Sequence, residues 1–133
     1  MSRSLERPVM ENPMKILAVN SSPRIGSGSI TERLLNHLVE GMQEAGAEVC
    51  TVNLREKTIK PCLGCFNCWT KTPGSCIQMD DMTHELLPKL PAVDLLVYAT
   101  PLYFNTMNAA MSIFRERMLP LSLPFIEKRD GKR

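Results

Sequence analysis

Cys62, Cys65 and Cys68 stand at i, i+3 and i+6 in Cys62-Leu63-Gly64-Cys65-Phe66-Asn67-Cys68, and Cys76 follows a Pro73-Gly74 turn, so four thiols fall within fifteen residues. Thiols at this spacing can converge on one metal centre. The compact run resembles that of iron–sulfur clusters, whose irons each take thiolate ligands. Zinc is the rival occupant, but zinc ribbons and knuckles usually pair two separate Cys-x2-Cys units, whereas here one unit overlaps the next. A third reading is that the cysteines are simply small buried apolar residues. That reading suits Cys50, inside an apolar stretch, better than it suits the loop.

Two further segments carry chemistry. Asn20-Ser21-Ser22-Pro23-Arg24-Ile25-Gly26-Ser27-Gly28-Ser29-Ile30-Thr31 is rich in hydroxyls and glycines, holds one arginine and runs into a predicted helix. Free backbone N–H groups and the positive end of a helix dipole attract an anion there. The loop lacks Gly-x-Gly-x-x-Gly and Gly-Lys-Ser/Thr, so a monophosphate fits better than a dinucleotide or a nucleoside triphosphate. The alternative is an ordinary loop whose serines cap the helix. The second segment, Thr100-Pro101-Leu102-Tyr103-Phe104-Asn105-Thr106-Met107-Asn108, puts two aromatics beside amides and hydroxyls. Such a set could pack on a planar ring and reach its polar edge, or Tyr103 and Phe104 could pack the core beneath the loop.

The elements around these segments alternate. Lys15 to Asn20 is a short apolar run that suits a buried parallel strand. Leu34, Leu35, Leu38, Val39 and Met42 recur at helical spacing between Thr31 and Ala45, with Gly46 as a stop. Glu48 to Leu54 reads as a second strand, Asp80 to Leu90 as a second helix closed before Pro91, and Val93 to Ala99 as a third strand. A last helix passes through Met111, Phe114 and Met118. Strands alternating with helices predict a doubly wound parallel α/β sheet. In such sheets ligands bind at the carboxyl ends of the strands, where both loops lie. Residues 1–13 are polar, carry Pro8 and Pro13, and read as a flexible N-terminal tail.

At 133 residues, 44% hydrophobic, the chain can bury one core. Its net charge of +2 is spread without a basic stripe, which argues against nucleic acid. No apolar run approaches the roughly 20 residues of a membrane span, and the N-terminus lacks a signal-peptide apolar segment; a cytoplasmic location is expected. In that compartment five cysteines point to ligands or reactive thiols rather than disulfides. His37 and His84, with no second ligand nearby in sequence, read as surface or packing residues. Asp80, Asp81 and Glu85 read as charges at a helix start.

Taken together, Asn-Ser-Ser-Pro-Arg, Pro-Cys-Leu-Gly-Cys-Phe-Asn-Cys-Trp with Pro-Gly-Ser-Cys and Asp80-Asp81-Met82, then Ala-Thr-Pro-Leu-Tyr-Phe and Phe114-Arg115-Glu116-Arg117, strongly resemble the flavodoxin-like NAD(P)H-dependent FMN reductases. The cysteine loop resembles that of the iron–sulfur flavoproteins among them. The resemblance runs from Met14 to about Glu127. It implies a three-layer flavodoxin-like fold, FMN as cofactor, NAD(P)H as co-substrate, and a homo-oligomer, dimer or tetramer. By position, Ser22, Arg24, Ser29 and Thr31 would hold the FMN phosphate. Pro101, Leu102, Tyr103, Phe104, Asn105 and Thr106 would lie against the isoalloxazine and ribityl chain. Cys62, Cys65, Cys68 and Cys76 would ligate a [4Fe–4S] cluster.

Three departures accompany the resemblance. The gap between the third and fourth cysteines is long, at seven residues, and Ile30 replaces an asparagine common in relatives. The chain also offers only about the first three of five expected parallel strands, so residues 14–133 are expected to form an FMN-binding domain lacking its last strands. That reading implies a truncated product, a fragment, or a fold completed by another chain, since sheet edges left open tend to pair. The expected activity is electron transfer from NAD(P)H to a flavin, a quinone or a one-electron acceptor, the flavin carrying the chemistry and no side chain acting as catalytic base. The alternatives are a non-enzymatic flavodoxin-like electron carrier and a fragment whose cysteine loop holds structural zinc.

Overall fold

The computed structural model describes residues 12–123. Residues 1–11 of the predicted tail and residues 124–133 of the predicted domain lie outside the described residues. Three parallel strands form the main sheet: β1 (Lys15–Asn20), β2 (Glu48–Asn53) and β3 (Leu95–Ala99), in the order β2-β1-β3. β1 lies in the middle, and its residues from Ile16 to Asn20 are all buried. This is the doubly wound arrangement of a flavodoxin-like fold, with the first strand inside the second and third. In the register, Leu17 stands opposite Cys50 and Leu96, and Val19 opposite Val52 and Tyr98.

The two faces of the sheet are covered unequally. Leu17, Val19, Val52 and Leu54 pack with Met82, Leu86, Leu87, Leu90, Met111 and Phe114 into one core on one face. Helix α1 (Ile30–Glu44) carries the buried Leu35 against the sheet, while Leu34 and Leu38 on the same apolar stripe remain exposed. α1 ends where the glycine predicts: Gly46 takes φ +95°, a left-handed value, and the Ala47 amide donates to the Met42 carbonyl.

The second predicted helix is not continuous. Met82–Leu86 forms a wide π-type turn, α2 is the short Leu87–Lys89, and a tight turn, Leu90–Ala92, carries on through Pro91. Pro88 explains the break, since it has no N–H to donate to the carbonyl four residues back. The third strand begins at Leu95 rather than Val93, because Asp94 is tied to the start of β1: its amide donates to the Lys15 carbonyl and its carboxylate accepts from the Lys15 amide.

The segment after β3 holds structure that its sequence does not announce. β4 (Leu102–Tyr103) and β5 (Thr106–Met107) pair antiparallel around Phe104 and Asn105, at φ +50° and +63°. Two successive left-handed residues make a type I′ hairpin. The last described helix, α3 (Ala109–Glu116), buries Met111 and Phe114 and is capped by the Asn108 side chain, which accepts from the Met111 amide.

Candidate functional site

The loop after β1 and the hairpin after β3 meet at the carboxyl ends of the strands. Ser22, Arg24, Ser29, Thr31, Pro101 and Tyr103 line one cleft. Leu102, Phe104, Asn105 and Thr106 belong to the same hairpin but do not line that cleft. Ser22 and Ser29 are buried and share a hydrogen bond of 2.7 Å between their hydroxyls. Ser29 also caps α1, accepting from the Glu32 amide at 3.1 Å. The helix therefore opens directly onto the loop, with its N-terminal amides and the exposed Arg24 beside the cleft.

Several residues that the sequence reading passed over hold this cleft in shape. Asn20 accepts from the Ser22 amide and donates to the Asn53 side chain. Asn108 donates to the Ser21 carbonyl at 2.7 Å and receives the Thr100 hydroxyl as a neighbour at 3.4 Å, so one buried amide joins the first loop to the third. Arg55 donates to the carbonyls of Ser22 and Arg24 and pairs with Glu32 at 3.2 Å. Glu32 in turn accepts from the Gly26 amide. The spacing Ser29-x-x-Glu32 is a capping-box pattern, and that was the available signal for Glu32.

The aromatics of the hairpin do not pack the core. Tyr103 is half exposed and Phe104 is 100% exposed. Phe104 also holds a left-handed φ, which is costly for a bulky side chain. Tyr103 lines the cleft beside the first loop, and both rings leave aromatic surface open to solvent at this end of the sheet. Cys50, expected inside the apolar stretch of β2, is exposed instead. It lies on an edge strand beside an open cleft at the amino ends of the strands.

The second centre is the cysteine loop. Cys62, Cys65, Cys68 and Cys76 all line one cavity, walled by Leu63, Phe66, Ile77 and Leu119 and closed by Glu116 and Arg117. The backbone curls to do this: Gly64 and Phe66 both take left-handed φ, +63° and +52°. Phe66 stacks on Trp69, with ring centroids 5.1 Å apart, and the Trp69 indole donates to the carbonyls of Leu119 and Ser122. Cys62 is pinned through its amide to Glu116 Oε1 at 2.7 Å. Two donors already point at sulfur: the Gly64 amide at Cys62 and the Asn67 side chain at Cys65, each at 3.4 Å. Burial pushes the Cys68 thiol up from its ordinary value, and the neighbouring Cys76, Cys62 and Cys65 push it further.

Behind that cavity lies an ion pair. Arg117, fully buried, grips Asp80 with two bonds of 2.6 and 3.0 Å. Burial pushes the Asp80 carboxyl up, but the Arg117 guanidinium and the amides of Lys60 and Thr83 outweigh it, leaving its pKa at about 2. Asp80 thus sits at a helix start, as its sequence position predicts, accepting from the Thr83 amide, and is also a buried anion paired with Arg117. Arg117 Nε is the one buried side-chain nitrogen or oxygen without a partner among the described residues. No three His, Cys, Asp or Glu side chains among those residues are arranged to hold a single metal ion. The fit to a cluster rests on the donor set, four sulfurs around one cavity, with sulfur-directed N–H groups and an orphaned buried N–H in its wall.

Residues 14–123 match the family model described as NADPH-dependent FMN reductase. The chain belongs to this FMN reductase family. An iron-sulfur flavoprotein of Methanocaldococcus jannaschii is 30% identical over 112 residues, covering 84% of this chain and 55% of that protein. An iron-sulfur flavoprotein of Archaeoglobus fulgidus is 35% identical over 108 residues, covering 80% and 46%. One from Methanosarcina thermophila is 30% identical over 108 residues, covering 81% and 54%. This FMN reductase family member thus spans about half the length of the curated relatives it matches. Among the described residues, no helix is long and apolar enough to cross a membrane.

Proposed function

We propose that this chain is the FMN-binding part of an oxidoreductase that takes electrons from NAD(P)H and passes them to a flavin, a quinone or a one-electron acceptor. The carrying observation is the single cleft in which Ser22, Arg24, Ser29 and Thr31 face Pro101 and Tyr103 at the carboxyl ends of β1 and β3. The buried hydroxyls and the α1 amides would hold the FMN phosphate, with Arg24 as countercharge. Pro101 to Thr106 would lie along the ring and ribityl chain. FMN, when bound, supplies the hydride and electron chemistry. The protein's own part is orientation: Asn108 and Arg55 fix the cleft, and the hairpin sets the plane against which a ring would stack.

Cys62, Cys65, Cys68 and Cys76 are proposed ligands of a [4Fe–4S] cluster. Zinc would draw four sulfurs to within about 2.3 Å of one ion, whereas a cluster takes one thiolate per iron and keeps its sulfurs apart. Four cysteines around one cavity support a sulfur-held group, and their compact overlapping spacing favours a cluster over structural zinc. The names of the relatives support it too. The FMN-binding domain is proposed to span residues 14–133, to act in the cytoplasm and to assemble as a dimer or tetramer.

The test is an absorption spectrum of protein purified without oxygen, with flavin, iron and labile sulfide measured on the same sample. Flavin, iron and sulfide in one sample are expected. Flavin alone removes the cluster from the proposal, and absence of both overturns it. Negligible NAD(P)H oxidation by flavin-loaded protein would leave an electron carrier in place of an enzyme.

A further inference from the structure

Arg117 follows α3 directly and is fully buried. Its Nη1 donates to the Lys60 carbonyl at 2.7 Å and to Asp80 Oδ2, and its Nη2 to Asp80 Oδ1 and to the Thr83 hydroxyl at 3.1 Å. A guanidinium has five N–H donors. Four are committed, and the fifth, on Nε, is buried without a partner. A buried donor without an acceptor is rare in native structures and marks a strain, a function or a missing group. The same side chain walls the cysteine cavity, where the Cys76 sulfur already draws on the guanidinium as a weak acceptor, short of a full hydrogen bond on Nε. Glu116, the other charge in that wall, is already engaged by the Cys62 amide. Arg117 is therefore the cation in the wall of the cysteine cavity, beside Cys76.

We propose that Arg117, clamped in place by Asp80, is a positioning residue for the sulfur-held group: its open Nε–H donates toward that group, and its charge offsets the negative charge of the thiolates. The proposal rests on the cluster reading of the cysteines. Its consequence is electrostatic. An added electron makes the bound group more negative, so a nearby fixed cation and an N–H donor favour the reduced form and raise the potential. Asp80 works in both directions, since it fixes the plane of the guanidinium while cancelling part of its charge.

The experiment uses the full chain, reconstituted without oxygen with ferrous iron and sulfide, and reads iron content and midpoint potential. Removing Arg117 alone would strand the buried Asp80, so the informative variant is Arg117→Gln with Asp80→Asn, a neutral pair of similar shape. It is expected to lose iron, or to keep it with a midpoint lower by at least the tenfold equivalent, about 59 mV for one electron. Asp80→Asn alone, which leaves the guanidinium uncompensated, is expected to move the midpoint the other way and serves if the double variant does not fold. Unchanged iron and midpoint in a folded double variant, or an unchanged midpoint in Asp80→Asn, overturn the role of Arg117 and leave the cluster reading intact. A wild-type chain that takes up no iron overturns the cluster reading itself, and the proposal with it.

Discussion

The cleft at the ends of β1 and β3 and the cysteine cavity are built on opposite plans. The cleft is held by many separate hydrogen bonds, each modest: Ser22 to Ser29, Asn20 to Asn53, Asn108 to Ser21, and the Arg55 guanidinium to two carbonyls and to Glu32. The cysteine loop has little regular structure and is anchored by a few strong contacts to the end of α3, above all the buried Arg117–Asp80 pair. A distributed site loses a little with each substitution. A site hung on one ion pair loses most of its support at once.

That contrast is sharpest at Arg117. Arg117→Met is expected to destabilise the fold by about 3–5 kcal/mol, the cost of leaving a buried partner charge uncompensated, read from the midpoint and slope of urea unfolding. The next largest effect is set by acid. The Asp80 pKa of about 2 in the fold lies below its ordinary 3.8, so its ionised form is favoured by folding. Its contribution is complete above pH 4 and is lost as pH falls through 2, amounting to roughly 2 kcal/mol. Asp80→Asn should flatten that part of the stability profile, and an unchanged acid limb would place the sensitivity elsewhere.

Substitutions in the cleft should be gentler and should separate stability from binding. Phe104→Gly relieves a left-handed backbone position and is expected to stabilise the fold by about 1 kcal/mol, while weakening FMN binding measured by fluorescence quenching. Equal FMN affinity would show that the exposed ring plays no part. Ser29→Ala removes the α1 cap and the partner of Ser22; the expected loss is about 1 kcal/mol of stability and about tenfold in FMN affinity. The smallest effect is expected at Lys57, whose pKa is raised chiefly by its bond to Glu85. Lys57→Met on this partly buried surface pair should shift the urea midpoint less than any substitution above.

The same contrast explains what could be read from the residues. Strands and the first helix announce themselves because their signals are local: apolar runs, helical periodicity, and Gly46 after the last turn. The part of the cleft proposed to hold a phosphate is local as well, since Ser22, Arg24, Ser29 and Thr31 fall between the end of β1 and the first turn of α1. The interrupted second helix was within reach, for Pro88 stands inside the predicted stretch, but periodicity alone passes over it. The hairpin escaped because Phe104 and Asn105 occupy positions where Asn-Gly or Asp-Gly is the usual mark. The Arg117–Asp80 pair joins residues 37 apart in sequence and has no local pattern. One hint existed: Arg117 falls on the same helical stripe as Met111, Phe114 and Met118, and a charge on an apolar stripe implies a buried counterion.

Helix α3 is capped by Asn108, which ties the loop after β1 to the segment after β3, and is followed at once by Arg117, which walls the cysteine cavity. Its eight residues span about 12 Å. On the proposed function, that length sets the spacing between the flavin cleft and the cysteine cavity. Loop residues can drift and retune affinity or potential while the spacing stays constant, and a single residue inserted into α3 would change the spacing and rotate one centre relative to the other.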